Sequence, residues 1–452
     1  MSSSEAKKAL LEKAVADGVK FISFQFTDIM GTTKSVTITA GQLEGALKKG
    51  IGFDGGSIKG FATVYESDMV LHPDVNTYCL LPWEPEERRT ARMICDVYSS
   101  DGQPFEGDPR YILERAIAAA AEMGYTYNVG SELEFFLFKM DGNPSMSHVP
   151  HDVGGYCDFM PRDLVSASAV LGDIVTTLQS MGMGVERTHH EVSAGQYEID
   201  ISYADALTSA DNAVTSRYTV QAVAAAHGLY ATFMPKPITG VNGTGMHIHQ
   251  SLATTAGENA FYDPDDKYRL SQAAYSFIAG QLEHARALSA VVAPTVNSYK
   301  RLTSGYEAPV YICWGQFNRS ALIRIPLYSP GHKDSTRAEL RCPDCLCNPY
   351  LAFAAMLQAG LDGIRRGLTP PPPVEEDAYH LSDSRMKELD MATLPASLEE
   401  AIDEIERDKV LREALGEHAY EFFIRAKRAE WEDYRTHVTD WELRRYLGVL
   451  LR

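Results

Sequence analysis

The sequence predicts an α+β protein that folds into two domains of unequal size. Three observations lead to this expectation. A chain of 452 residues, 45% hydrophobic and 23% charged, is too long for one small core. Strand-like alternation and helix-like spacing of apolar residues both occur along the chain. The pattern breaks between Ser99 and Gly107, which predicts an N-terminal domain at residues 1–105 and a larger domain at residues 106–452.

A helix, a hairpin and a second helix are expected at the start of the chain. Apolar residues recur at helical spacing before Gly18, residues 19–27 and 34–38 alternate like two strands joined by a turn, and residues 42–49 are helical. The loop at 52–57 contains three glycines, whose backbone freedom sets Asp54 in an exposed position. A binding role and a simple local cap are equal alternatives for this carboxylate.

The larger domain should begin with a helix whose first turn contains Pro109 after Asp108. Four prolines at 370–373 predict a stiff connector. After the connector, Ser397 followed by Glu400 has the spacing of a capping box and predicts a helix start in a mostly helical, highly charged region.

Charge and cysteine content exclude several classes of function. The formal net charge is −19, which disfavours nucleic acid or an anionic membrane as the main partner. There is no apolar run of roughly 18 residues and no apolar secretory stretch at the start, so a cytoplasmic location is expected. Seven cysteines form no disulfide framework, and the single C-x-x-C at Cys342 and Cys345 makes zinc or redox chemistry the weaker interpretation.

Two glutamates of one predicted strand point to the same face. In residues 125–138, Glu132 and Glu134 lie two positions apart, so their Cβ atoms are roughly 6 to 7 Å apart. This spacing suits two neighbouring cations. A strand with a solvated outer face is the equal alternative.

Further acidic, histidine and arginine side chains cluster in four other segments. Each has an ordinary alternative, such as a surface ion pair, a hydrogen-bonded core histidine or a solvated glutamate. Together they predict two hard divalent cations, Mg²⁺ or Mn²⁺ rather than zinc, beside arginines that bind carboxylate and phosphate groups. No phosphate-loop motif is present, so a nucleotide site would depend on metals and arginines. The side chains concerned are Glu186, Glu191, Glu198, His247, His249, Arg301, Arg319, Arg324, Arg337, Glu339 and Arg341.

Seven segments resemble the motifs of type I glutamine synthetases. They occur in the same order as in that family and extend along almost the whole chain. They are FDGGSIKGF (53–61), SELEFF (131–136), HHEVSAGQYEID (189–200), NGTGMHIHQS (242–251), NSYKRLTSGYEAP (297–309), NRSALIRIP (318–326) and RAELRCPDCLCNPY (337–350). The resemblance implies a small N-terminal β-grasp-like domain and a large catalytic domain with a curved antiparallel β-sheet wrapped by helices, the glutamine synthetase/guanido kinase-like fold. It also implies a homododecamer of two hexameric rings, with active sites formed between neighbouring subunits.

The activity implied by this resemblance is the ATP-dependent ligation of ammonia to the γ-carboxylate of L-glutamate through γ-glutamyl phosphate. The implied cofactors are two or three Mg²⁺ or Mn²⁺ ions per site. One metal would be held by Glu134, Glu191 and Glu198, and a second by Glu132, His247 and Glu339.

The remaining roles are also implied only by the resemblance. The catalytic residues would be Asp54, Glu307 on a flap that shields the intermediate, and Arg319 at the transferring phosphoryl group. Ammonium would be bound by Asp54, Tyr156 and Glu191. Glutamate would be bound by Asn242, Gly243, His247, Arg301, Glu307, Arg319 and Arg341, and ATP by Glu186, Tyr203, His249, Ser251, Arg319, Arg324 and Arg337.

Several positions depart from the family pattern without removing an implied metal ligand. Thr63 stands where feedback-inhibited α-type enzymes carry arginine, which argues against that form of glutamine inhibition. The sequence around Tyr379 lacks the surroundings of the adenylylated subclass, which argues against modification there. The other departures are Gly56, Tyr197, Phe317 and Cys345.

Two alternative functions remain open at this point. The first is a γ-glutamyl ligase for another amine, such as a polyamine or ethanolamine, although Asp54 and Glu307 favour ammonia. The second is a non-catalytic regulator on the same fold, which would have lost metal ligands or arginines. A nitrogen-regulatory protein, such as a transcription factor, is an additional partner on which the sequence is silent.

Overall fold

The computed structural model describes residues 3–61, 67–140, 150–152, 159–160, 168–327, 333–389 and 391–449. The expectations for Thr63 and Tyr156 fall outside these ranges.

The described strands belong to two sheets. Those of the first sheet are β1 (Phe21–Thr27), β2 (Thr33–Thr39), β3 (Ile51–Asp54), β4 (Asp68–Pro73), β5 (Cys79–Leu80) and β6 (Thr90–Ser99). Those of the second are β7 (Tyr125–Lys139), β8 (Val185–His190), β9 (Gln196–Asp205), β10 (Leu229–Thr232), β11 (Met246–Thr254), β12 (Tyr311–Gly315), β13 (Ala321–Arg324) and β14 (Ala338–Leu340).

The described α-helices lie mostly after the first sheet. They are α1 (Ser3–Ala16), α2 (Leu43–Lys49), α3 (Pro109–Glu122), α4 (Ser168–Ser180), α5 (Ala206–Ala226), α6 (Gln272–Glu283), α7 (Ala285–Val292), α8 (Ser298–Arg301), α9 (Pro349–Arg366), α10 (Asp383–Glu388), α11 (Leu398–Ile405), α12 (Lys409–Leu415), α13 (Glu417–Thr436) and α14 (Asp440–Tyr446). No helix in the described ranges is both long enough and apolar enough to cross a bilayer.

The first sheet has the strand order β2-β1-β6-β4-β3, with β5 also paired to β6. Its hairpin confirms the predicted one: β1 and β2 are antiparallel, and Asp28 Oδ1 accepts a hydrogen bond from the Thr32 amide at 2.8 Å in the turn. Gly31 adopts φ +82° there, a conformation that favours glycine. The alternating residues Ile22, Phe24 and Phe26 are buried, so the apolar face of β1 forms part of the core.

The second sheet has the order β12-β13-β14-β11-β7-β9-β8, with β10 paired to the end of β7. The long strand β7 is antiparallel to both β9 and β11. The predicted antiparallel sheet is therefore confirmed for its central strands, whereas β12 and β13 pair in parallel. Helices α6 and α9 approach closely beside the sheet, since a Cβ added at Gly363 would lie 2.0 Å from the Ser276 carbonyl oxygen.

Helix α3 connects the two sheets. Its predicted start is confirmed: the Asp108 carboxylate accepts hydrogen bonds from the Arg110 amide at 3.1 Å and from the Val97 amide of β6 at 2.8 Å. The buried Arg110 guanidinium contacts Asp74 beside the first sheet at 2.9 Å and Asp211 of α5 at 3.2 Å. A buried ion pair is costly to break because its partner is then left uncompensated, so this contact fixes the two parts of the chain together.

The C-terminal region is helical, as predicted. Ser397 caps α11 by accepting a hydrogen bond from the Glu400 amide at 3.2 Å, and the Glu400 carboxylate accepts one from the Ala396 amide. The last described helix, α14, exposes Trp441 and Tyr446.

Candidate active site

Two adjoining cavities lie over the second sheet and share Glu132 and Arg187 in their walls. The larger cavity has a volume of about 500 Å³ and the smaller one about 400 Å³. Most predicted site residues line one of them. The larger cavity contains Glu132, Glu134, Glu191, Glu198, Asn242, Gly243, His247, Arg301, Glu307, Arg319, Arg324, Glu339 and Arg341. The smaller contains Glu132, Glu186, Tyr203, His249, Ser251 and Arg337.

Strand register brings the acidic side chains together. Glu132 of β7 lies opposite Asp200 of β9 on one side and His247 of β11 on the other. Two residues further along β7, Glu134 lies opposite Glu198. Directly opposed side chains in antiparallel strands have their Cβ atoms roughly 5 Å apart. The pairing of three strands therefore concentrates the charges that the sequence places in three separate motifs.

Glu132 is buried and accepts hydrogen bonds from two histidines. His247 Nδ1 lies 3.1 Å from its Oε2 and His249 Nε2 lies 2.7 Å from its Oε1. Burial opposes ionisation, but these hydrogen bonds outweigh it and hold the pKa of Glu132 well below its usual range. Glu132 is thus an anion available to a cation.

Glu339 is fully buried between two arginines. Arg324 Nε and Arg341 Nη1 each lie 2.5 Å from one of its carboxylate oxygens. Burial opposes its ionisation, and the charges of Arg341, His249 and Arg324 outweigh burial to lower the pKa to about 2. The carboxylate also lies near His247, whose Nδ1 is 4.0 Å from Oε1.

At three other acids burial outweighs the compensating contacts. Burial raises the pKa of Glu134, Glu198 and Asp200. The charge of Glu132 raises the pKa of Glu198 and Asp200 further, and the other nearby acids also raise that of Glu198. Asp200 Oδ1 is buried and has no hydrogen-bond partner among the described residues. Arg187, whose side chain is 65% exposed, contacts Asp200 and lies 3.2 Å from Glu132. Crowded carboxylates with an orphaned oxygen fit a bound divalent cation.

Four groups of side chains in the described part of the chain have potential ligand atoms within 4.8 Å of one another. One is the predicted set of Glu132, His247 and Glu339. The other predicted set is divided between two groups that share Glu198: one contains Glu134 and His247, and the other contains His189 and Glu191. The last group is Glu132, Glu198 and Asp200.

We expect Mg²⁺ or Mn²⁺ to raise the melting temperature, by roughly 5 °C at saturation. The rise should be larger at about pH 8 than at about pH 6, because a cation must displace protons from acids whose pKa values are raised in its absence. Thermal melts at both pH values measure it. Glu198→Gln should lose most of the rise, whereas Asp101→Asn, at an exposed acid outside both cavities, should keep it. Equal rises at both pH values would contradict this account.

Two of the three predicted glutamate-binding arginines, Arg301 and Arg341, are buried beside the acids, whereas Arg319 is exposed. Arg301 donates hydrogen bonds to the carbonyl oxygens of Arg341, Cys342 and Pro343 at 2.9–3.1 Å. Gly245 leaves room for it, since a Cβ there would lie 2.4 Å from Arg301 Nη2. Arg341 Nε is buried without a hydrogen-bond partner in the described structure. An anionic substrate group would supply that partner.

The smaller cavity combines an exposed aromatic ring with cationic side chains. Tyr203 is 66% exposed at its wall, and Arg337 Nε donates to His249 Nδ1 at 3.0 Å. Arg324, predicted to contact the nucleotide, lines the larger cavity instead. Because it contacts Glu339 there, it lies on the side of the acid cluster.

Asp54 lines neither cavity of its own chain. It ends β3, where its carboxylate accepts hydrogen bonds from the Gly56 amide at 2.9 Å and the Ser57 hydroxyl at 2.7 Å. The Ser57 hydrogen bond lowers the pKa of Asp54. The carboxylate is therefore an exposed anion, and the local cap considered from the sequence is present.

Sequence reasoning missed residues that line the site and residues that lie behind it. The ion pair between Arg187 and Asp200 required strand register. Asp152, buried behind the turn that joins β8 and β9, lies 2.7 Å from His190 Nε2 and contacts the Tyr197 hydroxyl. The His-His-Glu sequence placed His190 beside Glu191, but nothing local indicated Asp152.

The cysteines of the C-x-x-C segment, Phe317 and Tyr379 have ordinary structural surroundings. Cys342, Cys345 and Cys347 are buried and unpaired, and no candidate metal group in the described ranges contains a cysteine. Phe317 is exposed, with its amide donating to Glu375. Tyr379 Oη donates to the carbonyl oxygen of Ala308 at 2.5 Å.

Comparison with known proteins agrees with this arrangement. Residues 18–100 match the family described as glutamine synthetase, beta-Grasp domain, and residues 106–446 match glutamine synthetase, catalytic domain. The chain is 50% identical to the glutamine synthetase of Methanosarcina mazei over 450 residues, covering 100% of this chain and 99% of that one. It is also 50% identical to that of Thermus thermophilus over 447 residues, covering 98% and 99%.

Solved structures show the same fold. The Plasmodium falciparum glutamine synthetase superposes with a TM-score of 0.88 at 26% identity, covering 99% of both chains. A GmaS complex with ADP superposes with a TM-score of 0.88 at 36% identity, covering 97% of this chain and 99% of that one. The predicted β-grasp domain and catalytic domain are confirmed. The chain belongs to the glutamine synthetase family.

Proposed function

We propose that this chain makes L-glutamine from L-glutamate, ammonia and ATP. The observation that carries the proposal is the meeting of two cavities at Glu132, one with an exposed aromatic ring and arginine, the other with acids and buried arginines. ATP would occupy the smaller cavity and glutamate the larger one. The terminal phosphate and the γ-carboxylate would then meet at the acid cluster.

Phosphoryl transfer between two anions requires neutralisation of charge. Divalent ions, Mg²⁺ or Mn²⁺, would supply much of it when bound by Glu132, Glu134, Glu191, Glu198, His247 and Glu339. Arg319 is exposed at the wall of the larger cavity, where it can reach a transferring phosphoryl group. Arg301 and Arg341 are fixed beside the acids and would orient the substrate carboxylates. The product of this step is γ-glutamyl phosphate.

Ammonia must then attack the acyl phosphate before water does. Ammonium has no free electron pair, so it needs an anionic site that binds it and helps to remove a proton. The lowered pKa of Asp54 keeps this exposed carboxylate ionised, which suits the binding of ammonium if Asp54 reaches a cavity of another chain. Glu307 Oε2 accepts a hydrogen bond from Asn242 Nδ2 at 3.0 Å, so the two residues adjoin at the wall of the larger cavity. In this position Glu307 would limit the entry of water.

A shared site accounts for the position of Asp54. We propose that Asp54 is supplied by a neighbouring subunit in a homododecamer of two hexameric rings, and that Tyr156 and Glu191 complete the ammonium site with it. We also propose the domain boundary between residues 105 and 106, and a cytoplasmic location, in which the unpaired cysteines would stay reduced.

The function is tested by incubating the purified protein with Mg²⁺, ATP, glutamate and ammonium. We expect glutamine and phosphate in equal amounts, with formation of both requiring glutamate. The absence of glutamine under these conditions, with Mg²⁺ or with Mn²⁺, would contradict the proposal.

A further inference from the structure

The segment that carries Glu307 is held at both ends and bent in the middle. This segment, residues 302–308, is called the flap here. Leu302 and Ala308 are buried, whereas residues 303–305 are exposed. Glu307 has φ +56°, a left-handed conformation that is unfavourable for glutamate by about 1–2 kcal/mol. Contacts with the surrounding structure must therefore stabilise the bend.

Lys236 makes the closest of the cation–ring contacts found in the described structure, and it makes that contact to the flap. Its Nζ lies 3.5 Å from the centre of the Tyr306 ring. The ammonium also donates to the Val241 carbonyl oxygen. Burial and the nearby charge of Arg301 lower the pKa of Lys236 to about 8, so the electron-rich ring face compensates a partly desolvated cation.

The backbone of Lys236 is itself fixed. Its amide donates to Asn297 Oδ1 at 2.7 Å, and Asn297 Nδ2 donates to its carbonyl oxygen at 3.2 Å. Asn297 precedes α8, which leads directly into the flap. The backbone of Lys236 is thus held in place, and the aromatic ring of Tyr306 packs against its side chain.

The flap contacts the loop after Lys236 at two successive residues. Tyr306 packs on Lys236, and Glu307 accepts a hydrogen bond from Asn242. Tyr306 and Glu307 line the larger cavity, whereas Lys236 does not. The lysine therefore acts on the cavity through Tyr306.

We propose that Lys236 is a positioning residue that holds the flap over the larger cavity through the Tyr306 ring and so protects γ-glutamyl phosphate from water. The inference rests on the proposed function and on the shielding role of Glu307. Loss of the cation should let the flap open more often. Water would then release phosphate from the intermediate and regenerate glutamate without forming glutamine.

The test is the ratio of phosphate released to glutamine formed by the purified oligomer at limiting ammonium. Lys236→Met keeps the length of the side chain and removes the charge. We expect it to raise hydrolytic loss about fivefold, equivalent to ~1 kcal/mol in the closing equilibrium. Lys236→Arg should restore the wild-type ratio, because it keeps a cation over the ring. Lys267→Met is the matched control: Lys267 Nζ lies 4.6 Å from the Tyr268 ring centre, away from both cavities.

The outcomes separate this inference from the proposed function. If the wild type makes glutamine and Glu307→Ala raises the ratio while a folded Lys236→Met does not, the role of Lys236 is overturned. If Lys236→Met fails to fold, Tyr306→Leu removes the same contact from the flap side and must raise the ratio, whereas Tyr306→Phe must not. An unchanged ratio in Tyr306→Leu overturns the proposal. A wild type that forms no glutamine contradicts the function itself.

Discussion

Replacing Glu339 by alanine should lower kcat/KM for glutamine formation by at least about a thousandfold. The carboxylate belongs to the candidate metal group with Glu132 and His247, and it also holds Arg324 and Arg341 at 2.5 Å. Its removal would take away a proposed metal ligand and leave the guanidinium groups of Arg324 and Arg341 without their shared counterion. The same change should destabilise the fold by about 3–5 kcal/mol, since a buried ion pair loses one partner.

Steady-state assays and Mn²⁺ binding measured on the folded variant check this expectation. Glu339→Gln separates the loss of a ligand oxygen from the loss of the counterion. It keeps the size of the side chain and an oxygen atom but loses the negative charge. Glu283→Ala is the matched control: Glu283 pairs with Arg366 at 2.7 Å on the surface, where such pairs contribute about 0–1 kcal/mol. Activity above about a tenth of the wild-type value in Glu339→Ala would remove this residue from the site.

Mixed oligomers of Asp54→Ala and Glu339→Ala chains should regain activity that neither variant shows alone. Asp54→Ala alone should lower activity at least about a hundredfold, because the variant loses the carboxylate proposed to bind ammonium and to help remove its proton. If each site combines Asp54 of one chain with the acid cluster of its neighbour, random mixing restores about a quarter of the sites. Those sites take Asp54 from the Glu339→Ala chain and the acid cluster from the Asp54→Ala chain.

Co-expression with two different affinity tags isolates the hybrids for assay. Asp101→Ala is the matched control for Asp54, because this exposed carboxylate also accepts hydrogen bonds from a serine hydroxyl and a backbone amide. It should keep full activity. Hybrids that are no more active than the separate variants would show that Asp54 does not complete the site of another chain.

The sequence predicted those helices, strands and caps that are determined by residues close together in the chain. The β1–β2 hairpin, the start of α3 at Pro109 and the cap of α11 at Ser397 depend on neighbouring residues, and all are confirmed. The parallel pairing of β12 with β13 was not predicted, because it depends on strands brought together by the rest of the sheet.

The same distinction applies to the site. Alternating acids on β7 are visible in the sequence, so Glu132 and Glu134 could be singled out. Asp200 and Arg187 became visible only through the pairing of β7, β8 and β9. Lys236 lies about seventy residues before Tyr306, and neither residue carries a local signal of their contact. Long-range pairs of this kind follow from the fold and not from periodicity.

The identity of the amine is the most direct test of the central claim that this chain makes glutamine. The purified oligomer should be assayed with ATP, glutamate and a panel of ammonium, methylamine, ethanolamine and a polyamine, with phosphate release and product mass measured together. We predict that ammonium gives the highest kcat/KM by at least about a hundredfold, with glutamine as the product, because the proposed ammonium site presents carboxylates to a small cation. A higher kcat/KM for any other amine, with the corresponding γ-glutamyl amide as product, would contradict the account.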